Sequence, residues 1–560
     1  MLARAARALM CGAALATTLP PAWAQASVAE SPGVRLPALG ESAAEDFTVG
    51  TERRLGDQIM AEIRRDPAYL DDPVLLQYLQ QVWQPLVEAA RRRGDIEGDT
   101  AAQFAWESFL VRDRSVNAFA LPGGFVGVHL GLIAMTATRD ELASVLAHEL
   151  THVTQRHIAR GIASQQRQTL LGVAGMILAL LAASRSGNAD MAQAALMGGQ
   201  AAMIQGQLNF SRDMEREADR IGYALLGQAG FDSGGMAAMF EKLDGVNRLN
   251  DSNAYPYLRS HPLTLERQAE ARLRLQGSAP PAQPARAGWL HALMGARSRV
   301  LMDPTTASLR KLQDPGPVRA DQPAVERAAA LYASSLASSL LRDHAVAERR
   351  GAELRSFAAA QSGSDADVAR ALWLLDAEGR LAAGDGGGAR QQLARLRASG
   401  LGDGQERPLL LLQAQAALHP SPEGREDALR QMTEALQTWV TARPRDAAAW
   451  QLLGNCAEAL GLRLRALRAQ AEARWLLGDL NGALDRLRAG RNLARAPLTG
   501  QDFIESSIID SRLRQLEGVR RQMQAEARGA RGNGPRGETP PDEPPARDTP
   551  PREDTEPKRL

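Results

Sequence analysis

The residues best placed for chemistry in this 560-residue chain are His148-Glu149-Leu150-Thr151-His152. Two imidazoles four positions apart share one face of an α-helix, so both can reach a single metal ion. The carboxylate of Glu149 stands beside them, where it can take a proton from a water activated by that ion. A set of this kind, with one zinc ion per subunit, hydrolyses peptide bonds. No Pro or Gly interrupts the stretch from Glu141 to Arg160, and Thr138 or Asp140 can cap its start, so one continuous helix is expected there. The plainer reading is two surface histidines on an amphipathic helix. With eight His in the chain, chance produces the pattern only about once in a hundred sequences, so the metal reading is preferred.

Two His ligands need a third partner. His157 is nine residues past His148, about half a turn out of phase on a regular helix, and is expected to point away. The longer HExxHxxGxxH pattern needs Gly and His where this chain has Gln155 and Ile158. The better source is Phe210-Ser-Arg-Asp-Met-Glu215-Arg-Glu217-Ala-Asp219-Arg. Glu215 and Asp219 are four apart and share a helix face, with Glu217 on the other side. One of the two carboxylates can ligate a metal, while the other can hold a ligand histidine through its free N–H. His261 precedes Pro262 and so lies in a loop or at a helix start. It can cap or pack, fill a fourth metal position, or donate to an oxyanion. His129, His291, His344 and His419 lack metal-like spacing and are read as structural or exposed.

The elements that would position these groups follow from local pattern. Phe104–Val111, Val116–Leu121 and Phe125–Leu130 are short apolar runs with a Pro122-Gly123-Gly124 turn between the last two. Helical patterns flank them, which gives an α+β domain with a small sheet. Residues 170–183 and 191–204 are two apolar stretches, each shorter than the ~20 residues of a membrane span. They read as a core helical hairpin, or as a lid that either lies on a membrane surface, in peripheral membrane contact, or covers the substrate.

The whole chain divides by composition. Residues 1–24 have the Arg4 and Arg7 start, the short apolar run and the Ala22-Trp23-Ala24 ending of a signal peptide, so export is expected. Residues 25–50 read as a flexible leader, 51–275 as the catalytic domain, 276–319 as a linker region rich in Pro near its start, 320–525 as an all-α domain, and 526–560 as a disordered tail. Within the all-α part a spacing recurs. Trp373, Gly384, Asp385, Ala389 and Leu393 are echoed by Trp450, Gly461, Ala466 and Gln470, and again by Gly478, Asp479, Ala483 and Leu487. Helix, glycine turn and a small residue inside the next helix are the logic of a tetratricopeptide repeat, whose opening motif Trp450-x-x-Leu453-Gly454 resembles. Stacked repeats of this kind bind peptides or partner proteins. A formal net charge of +1 argues against nucleic acid as a partner. Once the signal is removed, Cys456 is the one remaining cysteine, so no internal disulfide is expected.

Taken together, the HExxH, Ser211-Arg-x-x-Glu215-x-x-x-Asp219, Val116-Asn-Ala-Phe-Ala-Leu-Pro-Gly-Gly124 and His261-Pro-Leu-Thr-x-Glu-Arg267 segments resemble those of peptidase family M48, zinc peptidases of the gluzincin type. With a signal peptide and repeats added, the chain is similar to the β-barrel assembly-enhancing group of that family. The resemblance implies a zincin-type domain in which His148, His152 and Glu215 are zinc ligands. It makes Glu149 the general base and Asp219 the carboxylate that supports a ligand histidine. It also implies that the strand at 126–130 or its neighbour is an edge to which extended substrate adds. The expected setting is the periplasm. The expected substrates are unfolded or misassembled outer-membrane proteins, and the expected partner, through the repeats, is the outer-membrane β-barrel assembly machinery. A second class of function is an assembly chaperone that works mainly through its repeats and rarely cuts.

Overall fold

The computed structural model describes residues 47–164, 212–249, 256–276, 288–314, 321–361, 365–401, 406–419, 424–494 and 500–532. The expected signal peptide, most of the leader and the apolar stretches at 170–183 and 191–204 lie outside these residues. The first half contains helix α1 (Val49–Ile63), strand β1 (Tyr69–Leu70), α2 (Pro73–Arg93), α3 (Gly98–Gln103), β2 (Glu107–Val111), β3 (Ala118–Leu121), β4 (Phe125–His129), α4 (Leu130–Met135), α5 (Arg139–Thr154), α6 (His157–Ser164), α7 (Arg212–Gln228), α8 (Gly234–Leu249), α9 (Pro256–Ser260) and α10 (Leu265–Gln276).

All three sequence-predicted strands form, within shorter bounds, and the two-residue β1 is an addition that periodicity could not reveal. The sheet order is β1-β2-β4-β3. β2 and β4 run parallel, and β3 and β4 are antiparallel with Ala120 opposite Val126. Strand 126–130 is therefore interior. Its neighbour β3 is the edge, pairing among the described residues with β4 alone.

α5 carries His148, Glu149 and His152 across the core. Thr138 caps it by accepting the Glu141 amide at 3.1 Å, and Asp140 and Glu141 place negative charge in its first turn. Residues 141–153 are all buried, so this helix has no solvent face. α7 packs across it at close range. A Cβ on Gly222 would stand 3.2 Å from the His148 backbone nitrogen, so glycine permits the approach that brings Glu215 and Asp219 to the histidines.

The continuous helix expected over 141–160 is not found. α5 ends at Thr154, and α6 starts at His157. Between them Arg156 adopts a left-handed backbone, φ 51. Its side chain is held by Glu52 at 2.9 Å and by the Phe47 carbonyl at 2.6 Å. Tertiary bonds thus impose a break that the local sequence does not signal.

The rest of the chain is helical: α11 (Trp289–Leu301), α12 (Thr306–Gln313), α13 (Ala324–Leu340), α14 (His344–Gln361), α15 (Ala366–Ala382), α16 (Gly386–Ala398), α17 (Arg407–Leu418), α18 (Arg425–Ala442), α19 (Ala447–Ala459), α20 (Arg463–Leu476), α21 (Leu480–Leu493) and α22 (Gly500–Gly532). Two expectations need correction. The region 276–319 is not a linker throughout, because α11 is buried through Trp289, Leu293, Met294 and Val300. The disordered tail cannot begin at 526, because α22 runs to Gly532.

The recurring glycines have a common local cause. Gly384, Gly461 and Gly478 all take positive φ, at 80, 75 and 79, and each ends a helix. Asp385 and Asp479 then cap the next one by accepting the amides of Gly388 at 2.7 Å and Gly482 at 2.8 Å. Ala389, Ala466 and Ala483 are the small buried residues inside the following helices. Helices α13 to α15 surround a hollow of about 460 Å³ lined by Leu336, Leu354, Leu375, Arg355 and Asp376 among others.

One apolar core joins the two halves, extending from Val74 on α2 through Leu293 on α11 to Leu412 on α17. Ion pairs, some buried and some half-buried, cross the same boundary. Arg297 reaches Asp72 at 2.6 and 2.8 Å and Glu378 at 2.7 and 2.8 Å. Arg407 bridges Asp71, at 2.6 Å from both of its oxygens, and Asp446, at 2.8 and 2.9 Å. The turn at Gly478 also touches α1, since a Cβ there would meet the Ala61 carbonyl at 2.4 Å. Replacing Arg297 with Met should leave Asp72 and Glu378 without their guanidinium and lower unfolding stability by about 3–5 kcal/mol. Denaturant unfolding of the full chain measures this, and a loss under about 1 kcal/mol would show that the bridge does not couple the halves.

Candidate metal centre

The structure gathers His148, His152, Glu215 and His261 into one buried cluster. His148 and His152 come from successive turns of α5, Glu215 from the first turn of α7, and His261 from just after α9. Nε2 of His148 lies 3.0 Å from Nε2 of His152 and 3.2 Å from Nδ1 of His261. Glu215 Oε1 lies 3.0 Å from His261 Nδ1 and 3.4 Å from His152 Nε2, and its Oε2 lies 3.5 Å from His148 Nε2. Four ligands about 2.0–2.1 Å from a tetrahedral zinc ion stand about 3.3–3.4 Å from one another, so these separations fit.

Orphaned oxygens make the same point. Both carboxylate oxygens of Glu149 are buried without a hydrogen-bond partner. Carboxylates left so in a protein interior call for a cation. The donor set of three imidazole nitrogens and one carboxylate oxygen suits zinc.

Electrostatics agree. Burial alone would lower the basicity of His148, but Glu215 and Asp219 outweigh it and raise its pKa to about 10. A field that favours a proton there favours a metal cation equally well. Burial acts to raise the Glu215 pKa, yet His261, His148 and His152 hold it well below the usual carboxylate range. Burial pushes Glu149 up, with His261, His148 and the nearby Ala120 backbone on β3 opposing. His152 is driven well below the ordinary histidine range by burial, with Glu215 opposing.

Asp219 is where the helix spacing puts it. Its Oδ1 lies 3.0 Å from His148 Nδ1. An acceptor-only carboxylate fixes the proton on Nδ1 and leaves the lone pair on Nε2, facing the cluster. Two residues here had no assigned role in the sequence. Arg267, 4% exposed, makes a two-point bond to Asp219 at 2.6 and 2.8 Å and reaches Glu215 Oε2 at 2.8 Å. Nothing in its spacing on the charged helix α10 distinguishes it from its solvated neighbours. Tyr257 stacks on His261 with 4.7 Å between centroids. His157 is not among the clustered ligand atoms, but the broken helix brings it against His152 instead of turning it away, and Glu217 is drawn to it rather than left in solvent.

Of the other histidines, His129 and His291 are buried in structural contacts, and His344 and His419 lie in the helical half, away from the cluster.

The profile of Peptidase family M48 matches residues 76–275. The beta-barrel assembly-enhancing protease of Yersinia pestis is 32% identical over 490 residues, which cover 86% of this chain and 91% of that protein. The chain belongs to peptidase family M48. A Vibrio cholerae relative is 37% identical over 271 residues, 48% of this chain and 52% of that protein. The mitochondrial metalloendopeptidase OMA1 of Schizosaccharomyces pombe is 36% identical over 162 residues, 29% of this chain and 44% of that protein. The M48 chain is thus a zinc-dependent metallopeptidase, mostly helical with a small four-stranded sheet. No helix among its described residues is long and apolar enough to cross a membrane.

Purified protein should hold about one zinc per chain, and His148→Ala or Glu215→Ala should lower that content several-fold by elemental analysis. Stripping the metal with a chelator should lower the melting temperature, since binding to the folded state alone adds stability. A melting temperature indifferent to zinc would show that the cluster does not bind it.

Proposed function

We propose that this M48 chain is a periplasmic endopeptidase that removes misassembled outer-membrane proteins and assists the assembly of others. The observation that carries the catalytic part is the clustering of four ligating atoms with the orphaned carboxylate of Glu149 beside them. In this reading His148, His152 and Glu215 hold the zinc ion, and Asp219, anchored by Arg267, orients His148. When bound there, zinc supplies a Lewis acid that polarises the scissile carbonyl and makes water a better nucleophile. Glu149 takes the proton from the attacking water and later returns it to the leaving amine. Burial raises its proton affinity and suits it to both roles. The edge strand β3 lies against α5, with Ala120 beside Glu149. An extended substrate adding to that edge would bring its backbone to the general base.

His261 takes the fourth position in this proposal. Its Nδ1 stands within the ring of donor atoms, and its Nε2 lies 3.5 Å from Glu149 Oε1. A nitrogen in that place occupies the site that substrate and water need. This favours a resting, self-blocked state over the oxyanion-donor reading.

The setting rests on the relatives, named beta-barrel assembly-enhancing proteases, together with the signal-like N-terminus. The glycine turns at Gly384, Gly461 and Gly478 and the buried Ala389, Ala466 and Ala483 support a tetratricopeptide-like reading of the helical half. We assign that half partner binding, with the hollow among α13 to α15 as one place where the outer-membrane assembly machinery or a client would engage. A chaperone that cuts only rarely is the second reading, favoured by the size of the helical half.

Glu149→Gln should keep zinc and lose cleavage of an unfolded barrel protein by about 100-fold or more. In cells the same variant separates the two readings. Accumulation of envelope proteins supports the peptidase, and an unchanged envelope proteome supports the chaperone. His261→Ala should keep zinc and cut faster, including self-cleavage, and a clear fall in rate would end the self-blocking assignment.

A further inference from the structure

His157 plays no part in that scheme, although its side chain is fully buried behind a metal-site histidine. Its Nδ1 lies 2.8 Å from Nδ1 of His152. Its Nε2 lies 3.0 Å from Oε2 of Glu217, the same oxygen that Arg160 reaches at 3.0 Å. The two rings meet nearly edge to face, 4.9 Å between centroids.

The proton positions follow from what each group can do. A carboxylate accepts and does not donate, so the proton between His157 and Glu217 sits on His157 Nε2. A neutral His157 then has its lone pair on Nδ1, and the proton between the rings belongs to His152 Nδ1. His152 is left with its lone pair on Nε2, the atom 3.0 Å from His148 Nε2 and 3.4 Å from Glu215 Oε1. Both hydrogen bonds of the Glu217–His157–His152 relay are satisfied by this assignment.

We propose that His157 is a positioning residue for His152, holding the tautomer and ring plane that metal binding needs, with Glu217 and Arg160 as its anchor. The inference rests on reading His148, His152 and Glu215 as the ligands. It gives the site two supports of different construction. Behind His148 stands a carboxylate directly, Asp219 with Arg267. Behind His152 stands a carboxylate relayed through a second imidazole.

The backbone supports this over simple packing. Had α5 continued, five residues of helix would have turned His157 about 140° away from His152. The left-handed Arg156 breaks the helix instead, and the ring of His157 lies against that of His152. A non-glycine residue keeps that conformation only where its surroundings enforce it, and here Glu52 and the Phe47 carbonyl do so. Packing alone would be served by any apolar side chain and would need neither the break nor the Glu217 bond.

The test uses full-length protein, zinc affinity by chelator competition, and the visible spectrum after cobalt loading. His157→Phe removes the acceptor for His152 Nδ1–H and should weaken zinc binding about 10- to 100-fold. His157→Asn keeps an acceptor oxygen close to the place of Nδ1 and should recover affinity to within about threefold of the parent. Glu217→Ala should weaken zinc and shift the cobalt bands in the same direction as His157→Phe. The double variant should be no weaker than His157→Phe alone, because both act through one chain of bonds. Parental affinity in His157→Phe, equal losses in the Phe and Asn variants, or additive losses in the double variant would overturn the proposal. If His157→Phe does not fold, Glu217→Ala decides, since that side chain is 28% exposed, and an unchanged affinity and cobalt spectrum in it would overturn the proposal. Full zinc binding by His148→Ala in parallel would identify the ligand assignment itself as the failure.

Discussion

Glu215 brings a negative charge to a position where it is 2% exposed, and the arrangement around it compensates that burial. An isolated carboxylate in such a place would take up a proton rather than stay charged. Three imidazoles and the Arg267 guanidinium keep it ionised. The same charge makes the cluster attractive to a cation. Asp219 repeats the logic one turn along α7, shared between His148 and Arg267. α10 is therefore tied to the site by electrostatics as much as by packing, which explains why a helix otherwise rich in solvated charge buries one arginine. His261 enters on the short segment between α9 and α10, whose ends are fixed by the stacked Tyr257 and by Arg267 bonded to the Pro262 carbonyl.

The metal site was the most legible part of the sequence because its information is local. Four-residue spacing on two helices fixes which side chains share a face, so His148 with His152 and Glu215 with Asp219 could be paired without knowing the fold. His261 could be noticed, but spacing could not choose among its roles. Nδ1 had to be located among the other donors first. Arg267 and the His157–Glu217 pair were missed for a different reason. Their partners lie tens of residues away, and the break that sets His157 against His152 is made by Arg156, not by Gly or Pro. The break at Arg156 comes from Glu52 and Phe47, about a hundred residues earlier in the chain.

The fold divided in the same way. The strands, the Pro-Gly-Gly turn and the glycine-ended helices follow from residue type. The region 276–319 was misread because α11 follows a Pro-rich stretch and finds its apolar partners elsewhere. Composition reports whether a segment can be buried and says little about what will bury it. Arg297 shows how far the partners lie. One guanidinium on α11 satisfies Asp72 on one side and Glu378 on the other.

The contact between the Gly478 turn and α1 also bears on the order of assembly. The residues around Ala61 lie near the front of the chain, and their neighbour arrives more than four hundred residues later. Asp71 likewise waits for Arg407, and Asp72 for Arg297 and Glu378. Contacts at such separations carry a large loop-closure cost and slow folding. A chain that emerges N-terminus first cannot complete this set until nearly all of it has emerged. The catalytic half would then be finished last by the helices that follow it, so an incomplete chain would lack the frame that its peptidase needs.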